Sequence, residues 1–342
     1  MVSNFKNMIN IVLIGAGKLG SRHLQALAKI NIEVNVIVVD PSNESKEIAR
    51  SRFEEIPTNP KVISLEFYNQ ISDLAIEKID VAIIATSSEH RYSAVINLLN
   101  HSKVRFLILE KFLFQKADDY HDVRELLTKH DVKTWVNCPR RMWPVYQQLR
   151  SELVNSQLRE FIMIGTDWSL ATSSIHILDL IAFLTGCHEY QLLDLDLGNK
   201  FVPAYSSVTG ARESKFIEFY GAIRGKFSNS TNFTLSCLKD VQIPFQIELI
   251  LDNKNIRIYE EYGKLVSTVV RSDGTISNVE QTFSYPYQSG LTQLLVEDLI
   301  VNGQCSLTSY DESMQLHLPI LQSFQTYLAA ILNKEIENLP IT

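Results

Sequence analysis

Residues 9–23 read INIVLIGAGKLGSRH, and this stretch decides the fold. A mostly apolar run leads into Gly15, Gly17 and Gly20. Beyond them Leu24, Leu27 and Ala28 fall at i, i+3 and i+4. Apolar sequence without polar alternation predicts a strand buried on both faces, and the second spacing predicts one face of a helix. The G-x-G-x-x-G is a weak signal alone. Between a strand and a helix, at the start of a βαβ unit, it points to a dinucleotide. Gly15 permits the tight turn, Gly17 lets the backbone approach a pyrophosphate, and Gly20 lets helix and strand pack closely. The helix N-terminus offers N–H groups and partial positive charge, so Lys18 and Leu19 join the expected cofactor set. Asp40 ends the next apolar run, EVNVIVVD. An acid there accepts hydrogen bonds from the adenosine ribose and repels a 2′-phosphate, which favours NAD over NADP. The bland alternative is a glycine turn with Asp40 as a strand-end cap.

Working outward, the 342-residue chain is long enough for more than one domain. Hydrophobic residues make up 45% and charged residues 21%, an ordinary soluble composition. The net charge of −7 argues against general nucleic-acid binding, which relies on clustered Lys and Arg. No apolar stretch approaches the ~20 residues that cross a bilayer. The opening MVSNFKNMIN has one lysine and no apolar core, so no secretory signal is expected there. Cys138, Cys187, Cys237 and Cys305 lie far apart, without C-x-x-C pairs or a His cluster. Neither a metal site nor a disulfide framework is expected, and the expected setting is the reducing cytoplasm.

Through residue 138, β-rich runs alternate with helical stretches: VAIIAT, HRYSAVINLLN, VRFLILE, DDYHDVRELLTKH and VKTWVNC. That alternation predicts a doubly wound parallel sheet, a Rossmann domain over residues 1–138. After Pro139 come the helical WPVYQQLRSELVNSQ and IHILDLIAFLTG, the latter stopped by Gly186. The strand-like runs KFIEFYGAI, NFTLSCL, FQIELILD and NIRIYEEYGKLVSTVVRS follow with no long helices between them. They predict a large, mostly antiparallel sheet in an α+β domain over residues 139–342, with a helical tail.

Within VRFLILEKFLF, residues 104–114, Glu110 and Lys111 stand side by side in apolar sequence. Burying both charges is costly. In an open parallel sheet ligands bind beyond the carboxyl ends of the strands, and VRFLILE runs into the pair at such an end. A lysine there orients a hydroxyl and takes or gives its proton. The alternative is a solvated pair in a turn.

Five segments in this order, GAGKLGSRH, AIIATSSEH, LILEKFLF, WVNCPRRMWPVY and SIHILDLIAFLTG, resemble the glucose–fructose oxidoreductase / inositol dehydrogenase / MocA family. They span most of the first 190 residues. The resemblance implies that Lys111 is the lysine of that family's E-K-P motif, with Glu110 beside it and Phe112 in place of the proline. It implies that Thr86, Ser87 and His90 line the cofactor, although Ser88 fits equally a helix N-cap. Arg140 and Arg141 match an N-x-R-R-x-x-P segment. Either they hold a substrate carboxylate or phosphate, or they form a structural salt bridge. With Trp168 and Thr172 they make the expected substrate set. On the helix after them, Thr172, His176, Asp179 and Phe183 fall at i, i+4, i+7 and i+11. Many family members carry Asp where this chain has Thr172. Thr cannot titrate, which leaves His176 as acid/base with Lys111, and Asp179 to orient the ring. A buried structural His–Asp pair is the alternative.

The resemblance implies hydride transfer between NAD and a secondary alcohol or ketone of a sugar, cyclic polyol or nucleotide-sugar, by a homodimer or homotetramer. No metal, nucleic acid or membrane is expected. Two other readings stay open: a catalytically silent dinucleotide-sensing regulator, and an amino-acid or imine reductase on the same scaffold.

Overall fold

The structure, a computed structural model, describes residues 8–154, 156–198, 201–203 and 216–342. In chain order the elements begin with β1 (Ile9–Ile14), α1 (Gly20–Leu27), β2 (Val34–Val39), α2 (Asn43–Glu54) and β3 (Val62–Tyr68). Next come β4 (Lys78–Ile84), α3 (Ser88–His101), β5 (Lys103–Glu110), α4 (Ala117–Lys129) and β6 (Lys133–Asn137). Then follow α5 (Pro144–Leu153), β7 (Glu160–Thr166), α6 (Leu170–Thr185), β8 (Tyr190–Asp196), β9 (Phe201–Pro203) and β10 (Ile217–Phe219). The strands β11 (Gly221–Phe227), β12 (Asn232–Leu238), β13 (Gln246–Ile250), β14 (Lys254–Tyr259), β15 (Lys264–Val270) and β16 (Ile276–Thr282) run nearly without interruption. Last are α7 (Thr292–Asn302), β17 (Thr308–Ser309) and α8 (Tyr310–Leu332).

Two compact units result. The first takes the chain up to Pro139 together with Pro286–Asp311, and the second takes Arg140–Tyr285 and Glu312–Thr342. Among the described residues the first unit holds a seven-stranded sheet ordered β17-β6-β5-β4-β1-β2-β3. Every pair is parallel except β17 with β6. The order reverses between β1 and β4, the switch point beyond which open α/β sheets bind ligands. Ile11, Val12 and Leu13 are fully buried, as are Val81, Ala82, Ile83 and Ile84 in the neighbouring strand. Each large aliphatic side chain so buried stabilises the fold by about 1.5–3 kcal/mol before entropy is counted. This is the predicted Rossmann sheet.

The second unit carries an eight-stranded sheet ordered β16-β15-β14-β13-β7-β12-β11-β8, antiparallel throughout except for β7 beside β12. Alternating burial along β7 and β12 shows one face turned to the core. The apolar α6 ends at Gly186, whose φ of 69° lets its N–H reach the Ala182 carbonyl at 2.8 Å.

Several elements differ from the sequence reading. β3 is a strand that VISLEFY does not announce, because an edge strand is only half buried and needs no continuous apolar run. The stretch KFIEFYGAI is two strands rather than one, broken around Gly221 at a φ of 124° (Lys215 lies outside the described residues). Likewise NIRIYEEYGKLVSTVVRS splits into β14 and β15 through a 3-10 turn and Gly263 at a φ of 55°. In both places a glycine at positive φ breaks the run with little signal in the apolar pattern.

Candidate active site

Strand register places one row of residues together at the carboxyl edge of the first unit's sheet. Ile14 pairs with Val39 and Ile84, Ile84 with Leu109, and Leu109 with Val136. The next residues along those strands are Gly15, Asp40, Ala85, Glu110 and Asn137. Parallel register alone therefore gathers the glycine loop, the acid and the Glu–Lys pair on one edge.

The three glycines have different reasons to be glycine. Gly15 has φ of 92°, and a Cβ there would fall 2.9 Å from the Thr86 nitrogen. At Gly20 a Cβ would sit 1.8 Å from the Gly15 carbonyl oxygen, so strand and helix approach closely only without one. Gly17 is the opposite case, since a Cβ there would meet nothing within 4 Å. Residues 17–19 are exposed, and no side chain caps the N-terminus of α1. The face of the loop beside Gly17 is therefore open to an anion at the positive end of a helix. Lys18 turns its carbonyl inward to the Ser21 hydroxyl and to Arg52, each at 3.0 Å.

Asp40 is buried and ties the loop to β2. Its Oδ2 accepts the Ala16 N–H at 2.6 Å and its Oδ1 accepts the Ser42 N–H at 2.8 Å. An ionised carboxylate has about four acceptor positions, so capacity remains on both oxygens for ribose hydroxyls. Across the switch point, Thr86 follows β4. Its Oγ1 is buried without a hydrogen-bond partner among the described residues. An orphaned buried hydroxyl beside an open glycine loop fits a bound polar group. Ser87 is the N-cap of α3 by backbone, without a side-chain cap bond, so Ser88 is not that cap. Ser88 instead accepts from the Gln115 side chain at 3.2 Å. His90 is exposed beside Glu89, at 3.7 Å.

Sequence reading missed Arg91. It is 1% exposed and donates to the carbonyls of Thr86, Phe112 and Leu113. Burial lowers its pKa to about 10, with Glu110 opposing the fall, so it stays a cation at neutral pH. It thus fixes the backbone on both sides of the edge, after β4 and after Lys111. A single arginine inside an ordinary helical pattern gives no sign of that role.

Glu110 and Lys111 part company in their surroundings. Lys111 is partly exposed, and the Lys111–Phe112 peptide bond is cis. Glu110 is 3% exposed. Its Oε1 accepts from His23 Nε2 at 2.9 Å and from Asn137 Nδ2 at 2.5 Å. Burial pushes the Glu110 carboxyl up, but the hydrogen bonds from His23 and Asn137 and the electrostatic pull of His23 and Arg91 outweigh it and hold it below its usual range. The acid is therefore tolerated by built-in donors, not by solvent at a polar rim.

In the second unit both candidate arginines already hold acids. Arg140 makes a fork on Glu260, with Nε–Oε1 at 2.8 Å and Nη2–Oε2 at 2.7 Å, and Tyr146 donates to the same Oε1 at 2.5 Å. Arg141 Nε donates to Asp179 Oδ2 at 2.8 Å. The other oxygen, Asp179 Oδ1, has no partner among the described residues. The Asp179 carboxylate is thus placed on Arg141, where His176 was expected to receive it. A permanently charged guanidinium outcompetes an imidazole for a buried carboxylate. Burial pushes the Asp179 carboxyl above its ordinary value, and Arg141 restrains the rise. His176 is half-buried on α6. Thr172, one turn earlier, is fully buried, and its N–H and that of Ala171 point to the Glu218 carboxylate at 3.3 and 2.8 Å. Glu218 thereby does the capping of α6 that no local side chain does. Trp168 donates its indole N–H to the Ser236 carbonyl at 2.8 Å and meets Phe245 edge-on.

Among the described residues no group of three or more His, Cys, Asp or Glu is arranged to hold a metal, and no helix is long and apolar enough to cross a membrane.

No curated protein matches the chain in sequence. Solved structures share its fold. Myo-inositol 2-dehydrogenase from Lactobacillus plantarum aligns with a TM-score of 0.66 at 17% identity, over 97% of this chain and 99% of that one. UDP-N-acetylglucosamine 3-dehydrogenase from Acidithiobacillus ferrooxidans gives 0.66 at 15%, over 92% and 96%. A super-repressor mutant of Gal80p from Saccharomyces cerevisiae gives 0.70 at 14%, over 94% and 97%. The model of the oxidoreductase family with an NAD-binding Rossmann fold matches residues 9–138. The glycine loop, its strand and its acid thus sit in a segment that matches the NAD-binding Rossmann domain of the Gfo/Idh/MocA oxidoreductases.

Proposed function

We propose that the protein is a dinucleotide-dependent oxidoreductase moving hydride between nicotinamide and a secondary alcohol or ketone of a sugar, cyclic polyol or nucleotide-sugar. In this reading the first unit holds NAD in preference to NADP, and the second unit recognises the substrate. The observation that carries it is the carboxyl edge of the first sheet. Gly17 opens toward empty space there, the buried Thr86 hydroxyl has no partner among the described residues, and Glu110–Lys111 stands in the same row.

A bound nicotinamide supplies the hydride acceptor or donor. The chain's own residues do the rest. The α1 N-terminus and the backbone of residues 17–19 hold the pyrophosphate. Asp40 accepts the ribose hydroxyls. The Lys111 ammonium or amine exchanges the substrate's hydroxyl proton, with His176 as the second proton-handling group. Arg140 and Arg141 act through the acids they hold, shaping the second unit around Glu260 and Asp179. The protein works in the cytoplasm as a homodimer or homotetramer in this reading, and light scattering after size exclusion measures the assembly.

The test is turnover on a panel of sugars, cyclic polyols and nucleotide-sugars with both cofactors. Thr172, standing where many relatives carry an acid, favours one second reading: a dinucleotide-sensing regulator. NADH binding with no turnover on the panel would establish that reading instead.

A further inference from the structure

Glu110 and four other side chains in the first unit close a ring of hydrogen bonds. Asn137 Nδ2 donates to Glu110 Oε1 at 2.5 Å and to Gln288 Oε1 at 2.9 Å. Gln288 Nε2 donates to Thr292 Oγ1 at 2.9 Å. Thr292 Oγ1 meets His23 Nδ1 at 2.9 Å, and His23 Nε2 meets Glu110 Oε1 at 2.9 Å. His23 and Thr292 are fully buried, Asn137 is 2% exposed, and Gln288 is partly exposed.

Glu110 sets the direction of the bonds that reach it and of the amide bonds that follow from them. A carboxylate only accepts, so Asn137 turns its nitrogen to it and His23 presents Nε2–H. The same Asn137 nitrogen faces Gln288, so Gln288 presents its oxygen there and its nitrogen to Thr292. With Nε2–H turned to Glu110, His23 Nδ1 faces the Thr292 hydroxyl, which donates to it in the neutral ring and accepts from it in the imidazolium. In either state that hydroxyl, which also meets Gln288 Nε2, completes the ring.

We infer that Thr292 is a positioning residue: its hydroxyl orients His23, which holds Glu110 and thereby sets Lys111, the next residue in the chain. The segment Pro286–Asp311 then returns to the first unit to complete the lysine's setting. This inference rests on Lys111 being the proton-handling group of the proposed reaction.

The test compares T292V, which keeps shape and removes the hydroxyl, with T292S, which keeps the hydroxyl. Three quantities are read: kcat against KM, NADH affinity, and the acetylation rate of Lys111 by acetic anhydride, followed by mass spectrometry without cofactor. We expect T292V to lower kcat by roughly 10–100-fold, the effect of a small misplacement of a reacting group. KM and NADH affinity should stay within a few-fold, and Lys111 acetylation should change in rate. T292S should restore all three readings. Should T292V fail to fold, Q288M breaks the ring at its partly exposed member and takes its place. Unchanged kcat and unchanged acetylation overturn the inference, and so does a T292S protein that behaves like T292V. A wild-type protein without turnover refutes the oxidoreductase reading alone, and the acetylation comparison still decides the ring.

Discussion

At the scale of single residues, Gly17 and Gly20 give opposite predictions from one motif. G17V adds side-chain atoms where the protein has none within 4 Å of a Cβ. Its melting temperature should match wild type while NADH binding falls below detection. G20A places a Cβ 1.8 Å from the Gly15 oxygen and should lose about 1–3 kcal/mol of stability as the backbone shifts. Equal melting losses in both variants would remove the open-loop argument. His176 is the second residue to test. H176Q should lower kcat by roughly 10²–10⁴-fold, the usual contribution of a positioned acid or base, with NADH affinity nearly unchanged. T172D places a carboxylate one turn from the imidazole, favours its charged form, and should move the pH optimum for oxidation upward. An H176Q enzyme with normal kcat and an unchanged pH profile makes His176 structural. The residues these predictions rest on stand out in the sequence because their types are unusual where they stand: glycines after an apolar strand, charges inside VRFLILEKFLF, and a histidine in an apolar helix.

At the scale of elements, the long-range partners were not legible. His23 and Asn137 reach Glu110 from α1 and β6, Gln288 and Thr292 reach those two from the return segment, and Glu218 reaches α6 from β10. Hydrophobic periodicity tells which face of an element is buried and nothing about which distant polar group meets it. Arg91 is hidden for the same reason. Two predictions belong here. The Glu110 carboxyl is depressed in the folded protein, so the native state binds fewer protons than the unfolded chain. The stabilisation is complete above the ordinary Glu value of ~4.3 and is lost as pH falls from there through the folded value. E110Q should flatten that acid limb of melting temperature against pH, and an equally steep limb in E110Q would contradict the assigned network. The second prediction concerns Asp179. R141M strips the cation from a buried carboxylate and should cost about 3–5 kcal/mol at neutral pH. With its folded pKa raised further, that carboxyl favours the native state when protonated, so the variant should regain stability as pH falls. A pH-independent loss would mean that packing, and not the charge, is what Arg141 contributes.

For the whole molecule, the Rossmann sheet was written in the order of apolar runs and helices, and the second sheet in the absence of long helices between strands. What the sequence hid at this scale was the packing of α7 against the first unit, since periodicity names a helix without naming its neighbour. Cofactor preference follows from Asp40. Calorimetric titration should find NAD(H) bound more tightly than NADP(H), and the reverse order would sink the role given to that carboxylate. The most direct measurement of the central claim is a comparison of wild type with K111M. It uses the nicotinamide absorbance for turnover on the substrate panel and calorimetry for NADH affinity in both proteins. The account predicts turnover by wild type, none by K111M, and NADH affinities within a few-fold of each other. Equal turnover by K111M on a confirmed substrate would contradict it and move the chemistry away from the carboxyl end of β5.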